Sequence, residues 1–335
     1  MKKAKYYLKK DNKVICYLCP HTCSLKEEER GKCKVRKNVK GELFSTVYGK
    51  PTSEGIDPIE KKPLYHFLPG EKAFSIGTAG CNQSCLFCCN WQISQSTEKE
   101  IRTMDLSPEE AVKKAESRNS KIIAYTYNEP TVFIEYMQET AEIAREKNLK
   151  NIAVTCGLVN EKPLRDISKF LDAANIDLKY FSDQKYKEVS GGRLEPVLNT
   201  IKTLKEEGVW IEITNLIIPG LNDDEETIRK MCKWIIDNIG DETPLHFSRF
   251  YPTYKMNKKP PTPIETVKKA EKIAKEEGIK YVYIGNIPEE TPNTNCSNCD
   301  ATIIERKGFK SKIKKLDQEK GECIECGEKI PGIWK

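Results

Sequence analysis

The sequence predicts an α/β chain: a parallel sheet rolled into an incomplete (β/α)6-type TIM barrel, with a small cysteine-rich metal module at each terminus. Three observations predict it. Strand-like and helix-like segments alternate through the middle of the chain, a pattern that goes with parallel pairing and right-handed crossovers. Polar or reactive residues recur at the strand C-termini (Thr78, Asn128, Thr155, Asp177, Lys179, Thr214, His246 and Arg249). That is the face on which parallel barrels carry their sites, whereas a doubly wound sheet would gather them at one switch point. Lastly, all of the 14 cysteines except Cys156 and Cys232 fall into three groups of four.

Taken in order, residues 1–50 form the first module, with Cys16, Cys19, Cys23 and Cys33 spaced C-x2-C-x3-C-x9-C and His21 between them. The barrel spans 51–290. Its first strand is AFSIGT at 73–78, followed at once by Cys81, Cys85, Cys88 and Cys89. A helix starts at Ser107, where a Ser cap, a Pro and two acids coincide. Strands follow at 121–127, 151–157, 174–180, 209–219, 244–250 and 281–287. Helices separate them at 131–148, 161–172, 195–208, 223–240 and 262–278. Residues 291–335 carry Cys296, Cys299, Cys323 and Cys326 as C-x2-C-x23-C-x2-C, the spacing of a metal ribbon. The Lys-rich stretch 305–320 reads as a solvated excursion.

Composition narrows the function. The 335 residues carry a net charge of only +6, with acids and bases interleaved along the helices. That is a solvated surface and not a nucleic-acid footprint. No apolar run is long enough to span a membrane, and the Lys-rich N-terminus lacks a secretory signal's apolar core. A cytoplasmic protein is expected, in which so many cysteines serve metal or redox chemistry rather than disulfides.

The stretch GTAGCNQSCLFCCNWQ (77–92) is the most informative. Its C-x3-C-x2-C loop wraps three thiolates around one face of a [4Fe-4S] cluster, which ordinarily takes four. Three ligands leave one iron open, which a substrate or cofactor can occupy, and S-adenosylmethionine (SAM) can chelate such an iron through its amino and carboxylate groups. With SAM there, an electron from the reduced cluster can break a C–S bond and release a 5′-deoxyadenosyl radical. Adjacent cysteines in extended chain face opposite sides, so Cys89 is expected to be buried or supporting rather than a fourth ligand. A structural zinc site is the alternative, and it fits a lone C-x3-C-x2-C poorly.

Cys81, Cys85, Phe87 and Cys88 resemble the signature of the radical SAM superfamily, and the likeness extends over nearly the whole chain. YTYNEPT (125–131) is similar to the segment that binds the SAM amino group, with Glu129 the matching acid and Asn128 in place of a glycine. A helix N-terminal acid is the structural alternative for Glu129. DLKYFSDQKY (177–186) resembles a stretch of glycyl-radical-enzyme activases, which implies Asp177 and Lys179 at the SAM pocket, or else an interior ion pair. The same likeness implies Phe87 and Thr155 beside the cofactor, His246 at the adenosyl group or substrate, and Arg249 holding an anionic substrate. A satisfied structural His remains equally open. CYLCPHTC (16–23), CLFCCNWQISQ (85–95), YNEP (127–130) and CGEKIPGIW (326–334) resemble the radical SAM enzyme of the AmmeMemoRadiSam system. Two positions depart from it. Cys89 stands where a polar residue is expected, and Cys156 where an Asn is usual; Cys156 is a candidate reactive group or a small buried hydrophobe.

The terminal cysteine blocks are expected to hold zinc. An auxiliary iron-sulfur cluster competes for the N-terminal set and rubredoxin-like iron for the C-terminal one. The resemblance implies reductive SAM cleavage followed by hydrogen abstraction, a flavodoxin- or ferredoxin-type reductase as electron donor, and association with the two other proteins of that system. A glycyl-radical-enzyme activase of the pyruvate formate-lyase-activating type, or a non-catalytic metal scaffold, are the alternatives. Residues 90–124 contain no cysteine, so the ferredoxin-type insert of many activases is missing.

Overall fold

The computed structural model describes residues 1–288 and 291–335; the expected boundary at 290 lies outside the described residues. Eight strands make the central sheet: β1 (Ser53–Pro58), β2 (Lys72–Gly77), β3 (Ile122–Tyr125), β4 (Lys150–Thr155), β5 (Ala173–Asp177), β6 (Trp210–Ile217), β7 (Leu245–Arg249) and β8 (Val282–Gly285). They lie side by side in chain order. β1 is antiparallel to β2, and every later neighbour pair is parallel. Six helices make the crossovers: α1 (Pro108–Ser117), α2 (Ile134–Glu146), α3 (Glu161–Ser168), α4 (Leu194–Glu206), α5 (Glu225–Ile239) and α6 (Ile264–Glu277). Strands in sequential order with right-handed crossovers put their helices on one face. The other face is then left for side chains and loops to fill. The ladder of hydrogen bonds ends at β1 and β8, so the pairing is that of an open sheet.

The local reasons are visible in the sequence. Ser107 and Glu110 close a capping box at the start of α1. β3 is buried along its whole length, which accounts for its continuous Ile-Ile-Ala-Tyr run. Helix α3 stops at Ser168, short of the expected 172, and Phe170 and Leu171 take the turn into β5. Ahead of α4, Asp183–Lys185 and a wide turn over Tyr186–Ser190 form structure that the sequence pattern did not announce.

The N-terminal segment folds as two three-stranded antiparallel sheets. Its core residues Val14, Leu25, Val35 and Leu43 belong to the same apolar cluster as the interior of the main sheet. A fully buried ion pair, Arg36–Glu135, bolts it to α2 at 2.9 Å. The C-terminal segment has its own small core with Tyr65, Tyr281 and Tyr283. Its stretch 305–320 is not an excursion: Thr302–Lys307 and Lys310–Ile313 pair as a hairpin, with Arg306 buried and donating to Tyr65 O at 2.8 Å. Lys side chains alternate outward on that hairpin, which made it look solvated. The ribbon docks on the β1–β2 connection, through reciprocal backbone bonds between His66–Leu68 and Ile333, and on β8, where Tyr283 bonds Thr294. No described helix is long and apolar enough to cross a membrane.

Candidate functional site

The loop carrying Cys81, Cys85 and Cys88 leaves the C-terminal end of β2 and is braced on both sides. Asn128 donates to Gly80 O at 2.6 Å and accepts from Thr78 N–H at 3.2 Å. On the far side, Ser84 N–H bonds Ser190 O at 2.9 Å and Leu86 N–H bonds Val189 O at 3.0 Å. Gly191, at φ +66°, allows that contact: a Cβ there would lie 2.6 Å from Ser84 Oγ. Cys85 is buried and Cys81 and Cys88 are half-buried. Cys89 is exposed, contrary to the buried role expected of it; the chain turns at this point, so strand alternation does not apply.

Sulfur spacing separates the cysteine groups. Among the described residues, only Cys296, Cys299, Cys323 and Cys326 bring their ligand atoms within 4.8 Å of one another. There Cys296–Cys326 and Cys299–Cys323 approach to 3.6 and 3.8 Å. A tetrahedral ion with metal–sulfur bonds of about 2.3 Å needs sulfurs about 4 Å apart, so that site suits one ion. The sulfurs of Cys81, Cys85 and Cys88 are too spread for a shared ion; cubane corners place thiolates roughly 6 Å apart. Gln83 Nε2, Tyr180 Oη and Ser190 Oγ are buried without hydrogen-bond partners. Gln83 accepts from the Cys85 thiol, Tyr180 packs edge-on against Phe87, and Ser190 is next to the docking turn. Orphaned donors gathered around a thiolate loop fit an anionic sulfur cluster.

The strand ends above β3, β4 and β5 converge on this loop. The Glu129 carboxylate is buried and accepts from Thr131 N–H and Oγ–H, Thr155 Oγ–H at 2.9 Å and Cys156 N–H at 2.7 Å. It therefore ties the end of β3 to the end of β4 and caps the turn at Pro130–Phe133. Cys156 is buried and donates to Asn82 Oδ1 at 3.6 Å. Lys179 and Asp177 form a 2.5 Å ion pair. Burial works against the Lys179 charge, but Asp177 and the Cys85 and Cys156 sulfurs outweigh it and hold its pKa well above the ordinary lysine value. Burial pushes the Cys81 thiol far up and Glu129 adds to it. At Cys85 burial also dominates, with Lys179 pulling the other way. Metal or cluster binding must therefore expel protons from these thiols.

His246 and Arg249 lie elsewhere. His246 Nε2 meets Glu212 at 2.6 Å, inside a buried group in which Glu212 also accepts from Tyr65 and His66 N–H. It also lines a cavity of about 660 Å³ together with Tyr65, Ser248, Asn286, Arg306 and Phe309. Arg249 donates to Thr262 O at 2.6 Å and to Tyr251 Oη at 2.8 Å. Neither is among the partners of the cysteine loop described above. Sequence reasoning overlooked Asn82, Gln83, Ser190 and Glu212. The paired glycines Gly191–Gly192, abutting Ser84 and Gln83, were the available signal for the docking turn.

The sequence profile of the radical SAM superfamily matches residues 75–234, which contain the loop, Glu129, Cys156 and the Asp177–Lys179 pair. The chain belongs to the radical SAM superfamily. An uncharacterised protein of Methanocaldococcus jannaschii is 49% identical over 332 residues, covering 98% of this chain and 99% of that one. The pyruvate formate-lyase-activating enzyme of Clostridium pasteurianum is 25% identical over 169 residues, 48% of this chain and 67% of that enzyme. A radical SAM methyltransferase from Sphaerobacter thermophilus shares the fold with a TM-score of 0.50 at 14% identity, covering 65% of this chain and 67% of that one. Membership makes the chain a radical SAM enzyme and implies a [4Fe-4S] cluster and SAM, and the orphaned polar atoms and wide sulfur spacing of the loop fit them.

Proposed function

We propose that Cys81, Cys85 and Cys88 hold the [4Fe-4S] cluster and that the chain cleaves SAM reductively to abstract hydrogen from an unidentified substrate. The observation that carries this reading is the wide, three-sulfur loop at a strand exit, faced by a buried cation and a buried carboxylate. When bound, the cluster and SAM supply the electron transfer and the 5′-deoxyadenosyl radical. The chain's own residues orient and shield. Lys179, kept charged by Asp177, would pair with the SAM carboxylate. Glu129 holds Thr155 and Cys156 in register at the pocket's edge and would share its carboxylate with the SAM ammonium. Phe87 and Asn128 fix the loop. His246 is assigned to the substrate side, lining the large cavity, and Arg249, whose backbone carbonyl accepts from Asn286 of that lining, to an anionic group of the substrate. The eight-stranded sheet is proposed to act as an incomplete barrel. The electron donor is proposed to be of flavodoxin or ferredoxin type, and the partners to be the two other proteins of the AmmeMemoRadiSam system, on the shared motifs CYLCPHTC and CGEKIPGIW.

The test is anaerobic reconstitution with iron and sulfide, then dithionite and SAM. 5′-Deoxyadenosine and methionine are expected, and a Cys85→Ala variant should yield neither. Cluster-loaded protein that leaves SAM intact removes the proposal. A glycyl-radical-enzyme activase is the second reading, favoured by the activating enzymes among the relatives. It requires transfer of hydrogen abstraction to a glycine backbone of a protein substrate, detectable as a persistent radical on that partner.

A further inference from the structure

The N-terminal cysteines pose a problem that their spacing in sequence does not solve. Cys16, Cys19, Cys23 and Cys33 line one narrow pocket with Gly31, Arg36 and Asn82. Yet among the described residues no three of those sulfurs gather within 4.8 Å, as the C-terminal four do. The pocket keeps a cavity of about 10 Å³, room for one water-sized sphere. Sulfurs about 2.3 Å from a common ion would leave no such room. His21 is not a substitute ligand through Nε2, which bonds Asn82 O at 2.7 Å. Arg36 is 1% exposed and lines the pocket; its two terminal nitrogens serve Glu135 and Lys5 O, while its Nε has no partner. An orphaned cationic donor at a sulfur-lined cavity marks the place of an anionic sulfide-bearing group.

The geometry points to an auxiliary [4Fe-4S] cluster held by Cys16, Cys19, Cys23 and Cys33. Its place beside the radical SAM loop gives it a role. Asn82, which directly follows Cys81, forms part of the four-cysteine pocket and also bonds Leu158 O at 2.7 Å on the strand-end face. Gly80, at φ +84°, lies so close to the N-terminal segment that a Cβ would meet Cys33 O at 2.4 Å. The two residues that flank Cys81, Gly80 and Asn82, thus both touch the four-cysteine segment. An electron from a flavodoxin- or ferredoxin-type donor would reduce the auxiliary cluster, which is reoxidised as the electron passes to the cluster at Cys81, Cys85 and Cys88. The relay rests on the proposed role of those three cysteines; the auxiliary cluster itself does not.

The experiment is iron and acid-labile sulfide analysis of the full chain after anaerobic reconstitution. About eight sulfides per chain are expected in the unmodified protein, and about four in a Cys81→Ala/Cys85→Ala/Cys88→Ala variant. Iron or zinc at the C-terminal four contributes no sulfide, so it cannot mimic this. About four sulfides in the unmodified protein and none in the variant, with zinc making up the difference, overturns the proposal. Where the variant fails to fold, the unmodified stoichiometry alone decides. Dithionite-reduced protein should also show spin–spin broadening between two clusters in its paramagnetic resonance spectrum. Cys16→Ala/Cys33→Ala should abolish that broadening and retain about four sulfides. Two clusters without magnetic coupling refute the relay and leave the site.

Discussion

Removing Glu135 is the sharpest test of how the N-terminal segment is held. Its carboxylate is 1% exposed and receives two bonds from Arg36, at 3.0 and 2.9 Å, and a third from Lys5 N–H at 2.7 Å. In Glu135→Ala the Arg36 charge stays buried without its partner. Such a loss costs about 3–5 kcal/mol, and the stranded Lys5 N–H adds to it at about 1–3 kcal/mol. Relaxation and water entry will return part of this, so about 4 kcal/mol is expected. That is roughly a thousandfold in the equilibrium between docked and released segment, since 1.4 kcal/mol is a factor of about ten. The assay is hydrogen exchange and limited proteolysis across residues 1–50, set beside α2. Exchange should accelerate in the segment by about that factor while the strands β4 to β7 are unchanged. Arg36→Met/Glu135→Leu, which removes both charges, should recover most of the loss. A single variant that loosens the segment by less than about 1 kcal/mol would show that the pair is not the fastening.

Three further outcomes are expected. Gly80→Ala should separate the two cysteine groups, because it adds a Cβ at φ +84° that meets Cys33 O at 2.4 Å and Val35 Cγ1 at 2.6 Å; iron retention falls in both clusters, whereas Gly41→Ala, with open space around it, is tolerated apart from its backbone strain. Burial lowers the His66 pKa to about 4, so the folded state binds fewer protons than the unfolded one between there and about 6.5. Stability is full above pH 6.5, falls by about 3 kcal/mol on acidification to pH 4, and falls no further below; urea midpoints should show this slope, and His66→Gln should flatten it relative to the unmodified chain. Cys299→Ala, or a strong chelator, should remove one sulfide-free metal ion per chain and release the ribbon. The readout is metal analysis with tryptophan fluorescence from the buried Trp334.

What could be read from the sequence follows a physical line. The seven parallel strands were legible because each is a short apolar run with a helix cap or breaker at its ends. The capping box at Ser107–Glu110 marks α1 in the same local way. The cysteine loop was legible because its ligands lie within eight positions. Interactions between distant positions were not. His246 reads as a lone strand histidine, and that Glu212, 34 positions earlier, holds its ring at 2.6 Å shows only in the fold. Arg306 reads as one more solvated cation until Tyr65 O appears 2.8 Å from it, 241 positions back. Glu129 shows why the two kinds of reading overlap: a carboxylate that accepts from Thr155 and Cys156 is at once a brace between strands and a charge at the pocket.

The same reasoning explains why counting cysteines names ligands but not what they hold. Spacings of two or three residues let a loop bend thiolates toward one point, and both a lone ion and a cubane accept such loops. What differs is how far the sulfurs stand apart once the loops are pinned from outside. At the C-terminus the four sulfurs close to single-ion distances. At the N-terminus Arg36 is held in the wall by Glu135, and Asn82 is held by Leu158 and His21. These anchors come from α2 and the strand ends, far away in sequence, and they keep the pocket from closing. If the pocket is held open by them, releasing Arg36 through Glu135→Ala should let the four sulfurs draw together, and zinc should then replace iron and sulfide at that site alone.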